Sequence, residues 1–321
     1  MAPPPGASWR PPALQPGIIP LRPIGLGEIY DGAFRAIRAN PKVMFGMSAI
    51  VVTIAVALQS LISWYVEGLV STQFTDLAAE LDPQGVAGLD STLSAMVGEL
   101  SGLPITALAT TVLTGLLIVS VSRSVLGQVV TVREVLKGGR VWLVVGFSLL
   151  LTLIVSLVLG LGVGVVTLLG ASGNLGIGIL LGVLGLIAYV IATFWVSVRT
   201  LLVAPALMLE GKGFWSTIRR AWRLTRGVFW RLFGIWLLTN ILANIITAIF
   251  TVPAQMFGQL FLGDTAGRSF ASIAVNGVAN VIALTLATTF VAAVTALLYV
   301  DVRMRREGLD VELARAAEQT A

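Results

Sequence analysis

Arg219, Arg220, Arg223, Arg226 and Arg231 crowd one short stretch of the chain, with Trp215 and Trp222 set among them. A guanidinium presents a planar fork of N–H donors that fits phosphate, and indole rings settle at the depth of lipid headgroups. The chemistry these residues can perform is therefore recognition of an anionic headgroup, worth about 1 kcal/mol per basic residue near an anionic leaflet. The same residues would also serve as a plain topology anchor. A second set is amide: Asn240 and Asn244 lie one turn apart, Asn276 and Asn280 lie one turn apart, and Gln255 falls between the pairs. Counting 1.5 Å per residue from the basic ends places Asn244 about 17 Å deep and Asn280 about 30 Å deep, so the pairs should not meet and Gln255 is the expected neighbour of the second. Hydrogen bonding between helices is the role expected of all five. Arg199 is the best placed basic residue for a position inside a span, because Thr200 to Leu209 continues apolar through Pro205; the alternative is that the helix ends at Arg199.

No catalytic, cofactor or metal site is expected. The chain has no Cys and no His, which removes thiolate chemistry, zinc-cysteine sites and the commonest proton shuttle. Glu67, Asp76, Glu80, Asp82, Asp90 and Glu99 cluster in one segment but lack the spacing of a calcium loop, so solvated faces are the expectation. No nucleophile and base converge, and an enzyme is not predicted.

Composition places these residues in a membrane. The 321 residues are 56% hydrophobic and 12% charged, with mean hydropathy +0.93, a balance from which a water-soluble surface cannot be built. The pI near 10.1 would suit nucleic acid, but the basic residues alternate with apolar spans and so face lipid headgroups. The expected partner is the bilayer, with anionic headgroups and an unidentified membrane protein beside it; nucleic acid is not expected.

Six spans are predicted, at Val43 to Val66, Pro104 to Ser122, Val141 to Leu169, Leu175 to Pro205, Phe233 to Phe257 and Ile273 to Val300. This threading puts every Lys and Arg except Arg268 on one side, while the outer loop 67–103 holds the six carboxylates and no basic residue. Positive-inside insertion leaves that partition, so both termini are expected in the cytoplasm and the protein in the cell membrane. Gly170 to Asn174 reads as a tight turn that makes the third and fourth spans antiparallel neighbours. Residues 1–24, with eight prolines, read as a disordered cytoplasmic tail, residues 25–308 as the membrane domain, and 309–321 as a C-terminal tail.

Three times a short basic amphipathic segment precedes a pair of spans that returns on an Arg, over about 26–123, 131–199 and 214–303. The fold class predicted is therefore all-α, six transmembrane helices as three parallel repeats of interfacial helix plus helical hairpin. Leu26, Ile29, Tyr30, Ala33, Phe34 and Ile37 mark one helix face in the first unit. In the third unit, Trp215, Ile218, Trp222, Thr225 and Phe229 recur at three to four residues, with Arg219, Arg223 and Arg226 on another face. Thr131 to Arg140 is the shorter middle version. Ser156, Gly160 and Gly164, then Gly178 and Gly182, are expected to mark close helix contacts. Beyond Glu67, two short amphipathic helices separated by Asp82-Pro83-Gln84-Gly85 are expected to cap the bundle.

The stretches Leu26 to Phe34, Ala204 to Gly211 leading into Ala221 to Gly227, and Leu298 to Gly308 resemble actinobacterial integral membrane proteins similar to the membrane domain found beside glycerophosphoryl diester phosphodiesterase catalytic domains. The resemblance covers most of residues 25–310. In fused relatives catalysis belongs to a separate barrel that uses His and metal-binding carboxylates, so the resemblance implies a membrane module without phosphodiesterase activity here. A scaffold or accessory module engaging anionic lipids is the first functional expectation, and a transporter or permease for a small or lipid-like solute is the alternative.

Overall fold

A computed structural model describes residue 22 and residues 24–81, 89–125, 140–173, 175–209, 213–261 and 270–307. Nine α-helices fall among the described residues: α1 Leu26–Ala39, α2 Pro41–Leu81, α3 Leu89–Val125, α4 Val141–Ala171, α5 Leu175–Thr200, α6 Val203–Leu209, α7 Phe214–Leu224, α8 Phe229–Phe261 and α9 Phe270–Glu307. Within them lie six segments long and apolar enough to cross a membrane, over Pro41–Val66, Leu100–Val121, Val141–Val166, Gly176–Leu209, Phe229–Phe261 and Ala274–Glu307. All six predicted spans are present. The predicted N-terminal tail apart from Arg22 and Ile24, the predicted C-terminal tail, the middle amphipathic segment up to residue 139, Asp82 and Arg268 lie outside the described residues, as do the side chains of the other five loop carboxylates; Ile24 is buried, so the expected tail is already held at its end.

The ends of the elements follow local chemistry. Gly25 caps α1, and Glu28 Oε2 accepts the Gly25 backbone N–H at 2.7 Å, the half of a capping box that a glycine can take part in. Pro41 stops α1 and opens α2, where its missing N–H costs nothing. Between α4 and α5 the turn is as short as expected, with Gly173 at φ +79°, a conformation that side-chain-bearing residues avoid. Arg199 sits in the last turn of α5. The apolar continuation does not extend that helix, because the chain turns at residues 201 and 202 and restarts as α6 with Pro205 in its first turn.

Two expectations need correction. The segment beyond Glu67 does not form separate capping helices: α2 runs on to Leu81 and α3 begins at Leu89, so each outer segment extends its span without a break. Pro104 lies inside α3 and does not stop it. Second, Gly160 and Gly164 do not mark a close approach, since a Cβ at either would meet nothing within 4 Å. Gly182 is packed, 3.3 Å from Val166 at that position, but tighter contacts between helices occur at Gly115 against Val144 and Gly102 against Gln59. Spacing of small residues finds a stripe; it does not say which stripe has a neighbour.

Helix α9 is the axis of the molecule. It touches α1, α2, α3, α6 and α8, and Ala292 to Val300 are buried on every side. A helix apolar all round belongs at a core. The hairpin of α4 and α5 is the opposite case, with Val144, Phe147 and Ser148 the buried residues among the described ones of α4; α4 touches α3, α5 and α6, and α5 touches α4, α7 and α8. Buried hydrogen bonds supplement packing where lipid removes the hydrophobic drive. Thr289 Oγ1 donates to Ser48 Oγ at 2.7 Å between α9 and α2, and the Tyr30 hydroxyl meets Thr239 Oγ1 at 3.2 Å between α1 and α8. The α1 face predicted from spacing is buried at Ile29, Ala33 and Ile37, but it packs on protein and leaves Leu26 and Phe34 exposed.

Candidate functional site: the basic end of the bundle

The main core cluster gathers at one end of the bundle, where α1, α6, α7, the start of α8 and the end of α9 converge. Asp301, 0% exposed, lies at its centre. It accepts Arg305 Nε at 3.0 Å, pairs with Arg231 Nη1, and accepts the backbone N–H of Ile24 at 3.0 Å. The Ile24 carbonyl in turn accepts Arg305 Nη2 at 2.9 Å and Arg231 Nη2 at 3.2 Å. One carboxylate, two guanidinium groups and the backbone N–H and carbonyl of one residue thus satisfy one another, which a buried charge requires. The chain before α1 is fastened here, and Arg22 adds a bond to Glu28 Oε1 at 2.6 Å.

This arrangement sorts the five arginines of the basic stretch. Arg231 is drawn inward to Asp301 and is not free to meet a headgroup. Arg220 pairs with Glu307, which also accepts Arg303 Nε at 2.9 Å, so α7 is tied to the end of α9. Arg306 Nη2 donates to the Arg226 carbonyl across the α7–α8 turn, where Gly227 adopts φ +79°. The side chains of Arg219, Arg223 and Arg226 remain exposed.

Helix α7 is rotated from the predicted stripe. It buries Thr217, Ala221 and Leu224, packs on α6, and turns Trp215 outward at 68% exposure. Small Ala221 and Thr217 allow the closer approach, which places the bulky indoles on the flank of the helix. At about 100° per residue, Trp215, Arg219, Trp222 and Arg223 then share one outer side, with Arg226 following in the turn. An aromatic and cationic side of this kind, backed by a buried face, suits the boundary between headgroup and acyl chain.

Arg199 occupies a second feature. Its guanidinium lies 5.5 Å from the ring centroids of Trp195, Trp222 and Phe229, and Nη1 donates to Thr225 Oγ1 at 3.2 Å. No carboxylate pairs with it among the described residues, and its Nε is buried without a hydrogen-bond partner. Cation–π contacts contribute about 0.5–2 kcal/mol each, less than the cost of withdrawing a charge from water without a counter-ion. Sequence reasoning found Arg199 but not its cage; Trp195 at i−4 was the available signal, since i and i+4 share a helix face.

The amides do not form a joint site. Asn240 Nδ2 donates to the Trp236 carbonyl at 2.7 Å and Asn244 Nδ2 to the Asn240 carbonyl at 2.8 Å, each one turn back on α8. Asn276 Nδ2 does the same to Ser272 on α9 at 2.9 Å. Gln255 is exposed, and Asn280 is half-buried. A shallow cavity of about 350 Å³ opens between α1, α8 and α9, lined by Tyr30, Phe34, Leu242, Ile245, Ile246 and Phe290, all apolar apart from the tyrosine hydroxyl. No cluster of three or more potential metal-ligating side chains occurs among the described residues.

Six apolar spans, with those of α2, α3 and α8 packed directly on α9, define a multi-pass helical membrane protein. Residues 176–319, which take in α5 to α9 and the basic end apart from α1 and the segment before it, match the family model of the membrane domain of glycerophosphoryl diester phosphodiesterase. The match is to that membrane domain, and no catalytic domain is evident. No curated protein and no solved structure matches the chain.

Proposed function

We propose that the chain is a non-catalytic scaffold or accessory module of the cell membrane that engages anionic lipids through its basic end. The observation that carries this reading is the outward side of α7, where Trp215, Arg219, Arg223 and Arg226 stand clear, with half-buried Trp222 beside them, while Arg220 and Arg231 are held by carboxylates. Positive-inside insertion would turn this end toward the cytoplasm, and both termini with it, where anionic lipids give the leaflet a negative potential. The element order, in which α1 precedes one hairpin and α7 precedes another, supports the reading of the chain as parallel repeats, with the middle unit outside the described residues. A transporter would need a polar path between helices; the cavity beside α1 is apolar, and the core around α9 is packed solid. Neutralising Arg219, Arg223 and Arg226 together should weaken retention of anionic lipid while insertion stays intact; unchanged lipid dependence contradicts the proposal.

A further inference from the structure

We infer that the Arg199 cage is a discrete site for the phosphate of one membrane phospholipid, held between α5, α7 and α8. The inference rests on the reading that this end of the bundle meets anionic lipid, and it names the place. A guanidinium carries five N–H donors, and the structure supplies a partner for one, at Thr225 Oγ1. The three rings fix the plane of the group and keep its charge from being neutralised by a neighbour; the half-buried side chain still reaches the surface. A planar donor fork held rigid, without a carboxylate among the described residues, matches the oxygens of a phosphate mono- or diester.

The surroundings favour a lipid over a free phosphate. Phe194 meets Trp236 edge-on beside the cage, which brings α5 and α8 together there. One and two turns away from the cage on that side of α5, Ile191 and Ile187 are 63% and 53% exposed. Along α8, Phe229, Phe233, Trp236, Asn240 and Asn244 recur at three to four residues on a single side, the side that meets α5 through Trp236. A phosphate at Arg199 would leave acyl chains to run along Ile191 and Ile187.

The test is native mass spectrometry of the full chain in micelles, titrated with phosphatidylglycerol or phosphatidylcholine, with glycerol phosphate and inorganic phosphate as soluble arms. The wild type should retain one phosphatidylglycerol more tightly than further copies. Arg199→Gln should weaken that first site by about tenfold or more, while the combined Arg219→Gln, Arg223→Gln, Arg226→Gln variant keeps it and loses only the weaker adducts. Wild-type retention in Arg199→Gln overturns the inference while leaving the reading of α7 standing. Complete displacement of the lipid by millimolar inorganic phosphate overturns it in favour of a soluble ligand. If Arg199→Gln does not fold, Arg199→Lys keeps the charge but not the fork. Its first site should be several-fold weaker, and an unchanged affinity contradicts the inference.

Discussion

Ile24 and Asp301, 277 positions apart in the chain, are joined at 3.0 Å by a backbone N–H on one side and a fully buried carboxylate on the other. Arg231 and Arg305 close the arrangement by bonding both the carboxylate and the Ile24 carbonyl. Asp301→Asn keeps the shape and removes the charge, leaving two guanidinium groups without their counter-ion. Breaking a buried pair costs about 3–5 kcal/mol. The expected outcome is a clear fall in Tm in detergent, with trypsin cleavage at the exposed Arg35 of α1 becoming faster as α1 and the segment before it are released. Wild-type Tm and cleavage would show that the network contributes nothing.

The α7–α8 turn offers a local test. Gly227 has φ +79°, and a Cβ there would lie 2.7 Å from Arg306 Nη2. Gly227→Ala should cost about 1–2 kcal/mol through the left-handed backbone alone, plus displacement of the flexible Arg306 head. Thermal unfolding measures it, with Gly213→Ala as the control, since a Cβ there meets only Ser216 Oγ at an ordinary 3.5 Å.

Packing of the peripheral hairpin depends on one glycine that the small-residue stripe did not contain. At Gly115 an added Cβ would approach Val144 Cγ1 to 2.8 Å, whereas at Gly160 it would meet open space. Gly115→Val should loosen α4 from α3 at a cost of about 1–3 kcal/mol, and Gly160→Ala should be neutral or slightly stabilising. Detergent-resistance assays on the two variants should separate them.

Orientation can be read directly because the chain has no native Cys. Ser216 is exposed on α7 and Gln259 is exposed near the far end of α8. A membrane-impermeant thiol reagent added to intact cells should label the Gln259→Cys variant and spare Ser216→Cys until the membrane is opened. The reverse pattern would invert the topology that the basic residues imply.

These tests also mark what could be read from the residues alone. The spans were legible because about 20 apolar residues are needed to cross a bilayer, and the amphipathic segments because apolar residues recur at helical spacing. Asp301 was visible only as part of a returning Asp-Val-Arg. Its partners include a peptide N–H and carbonyl at Ile24, and backbone groups leave no mark in side-chain pattern. Arg231 was grouped with its sequence neighbours for the same reason, although α8 and α9 form a hairpin whose register sets it opposite Asp301. The face of α7 that packs on protein was not legible, because the spacing of bulky residues marks Trp215, Ile218 and Trp222 while closeness to α6 selects Thr217 and Ala221. Around Arg199 the cage draws on three separate helices, and only Trp195 shares its own.

The central claim is that the exposed side of α7 meets anionic headgroups, and tryptophan quenching by brominated lipid tests it most directly. The protein is reconstituted into vesicles of brominated phosphatidylglycerol or brominated phosphatidylcholine, as wild type and as the combined Arg219→Gln, Arg223→Gln, Arg226→Gln variant. At about 1 kcal/mol per basic residue, mixed vesicles should show phosphatidylglycerol enriched roughly tenfold or more beside Trp215, read as the quenching lost on Trp215→Phe substitution, with most of that preference lost in the variant and in high salt. Equal quenching by the two lipids in the wild type, or a preference that survives in the variant, would contradict the account.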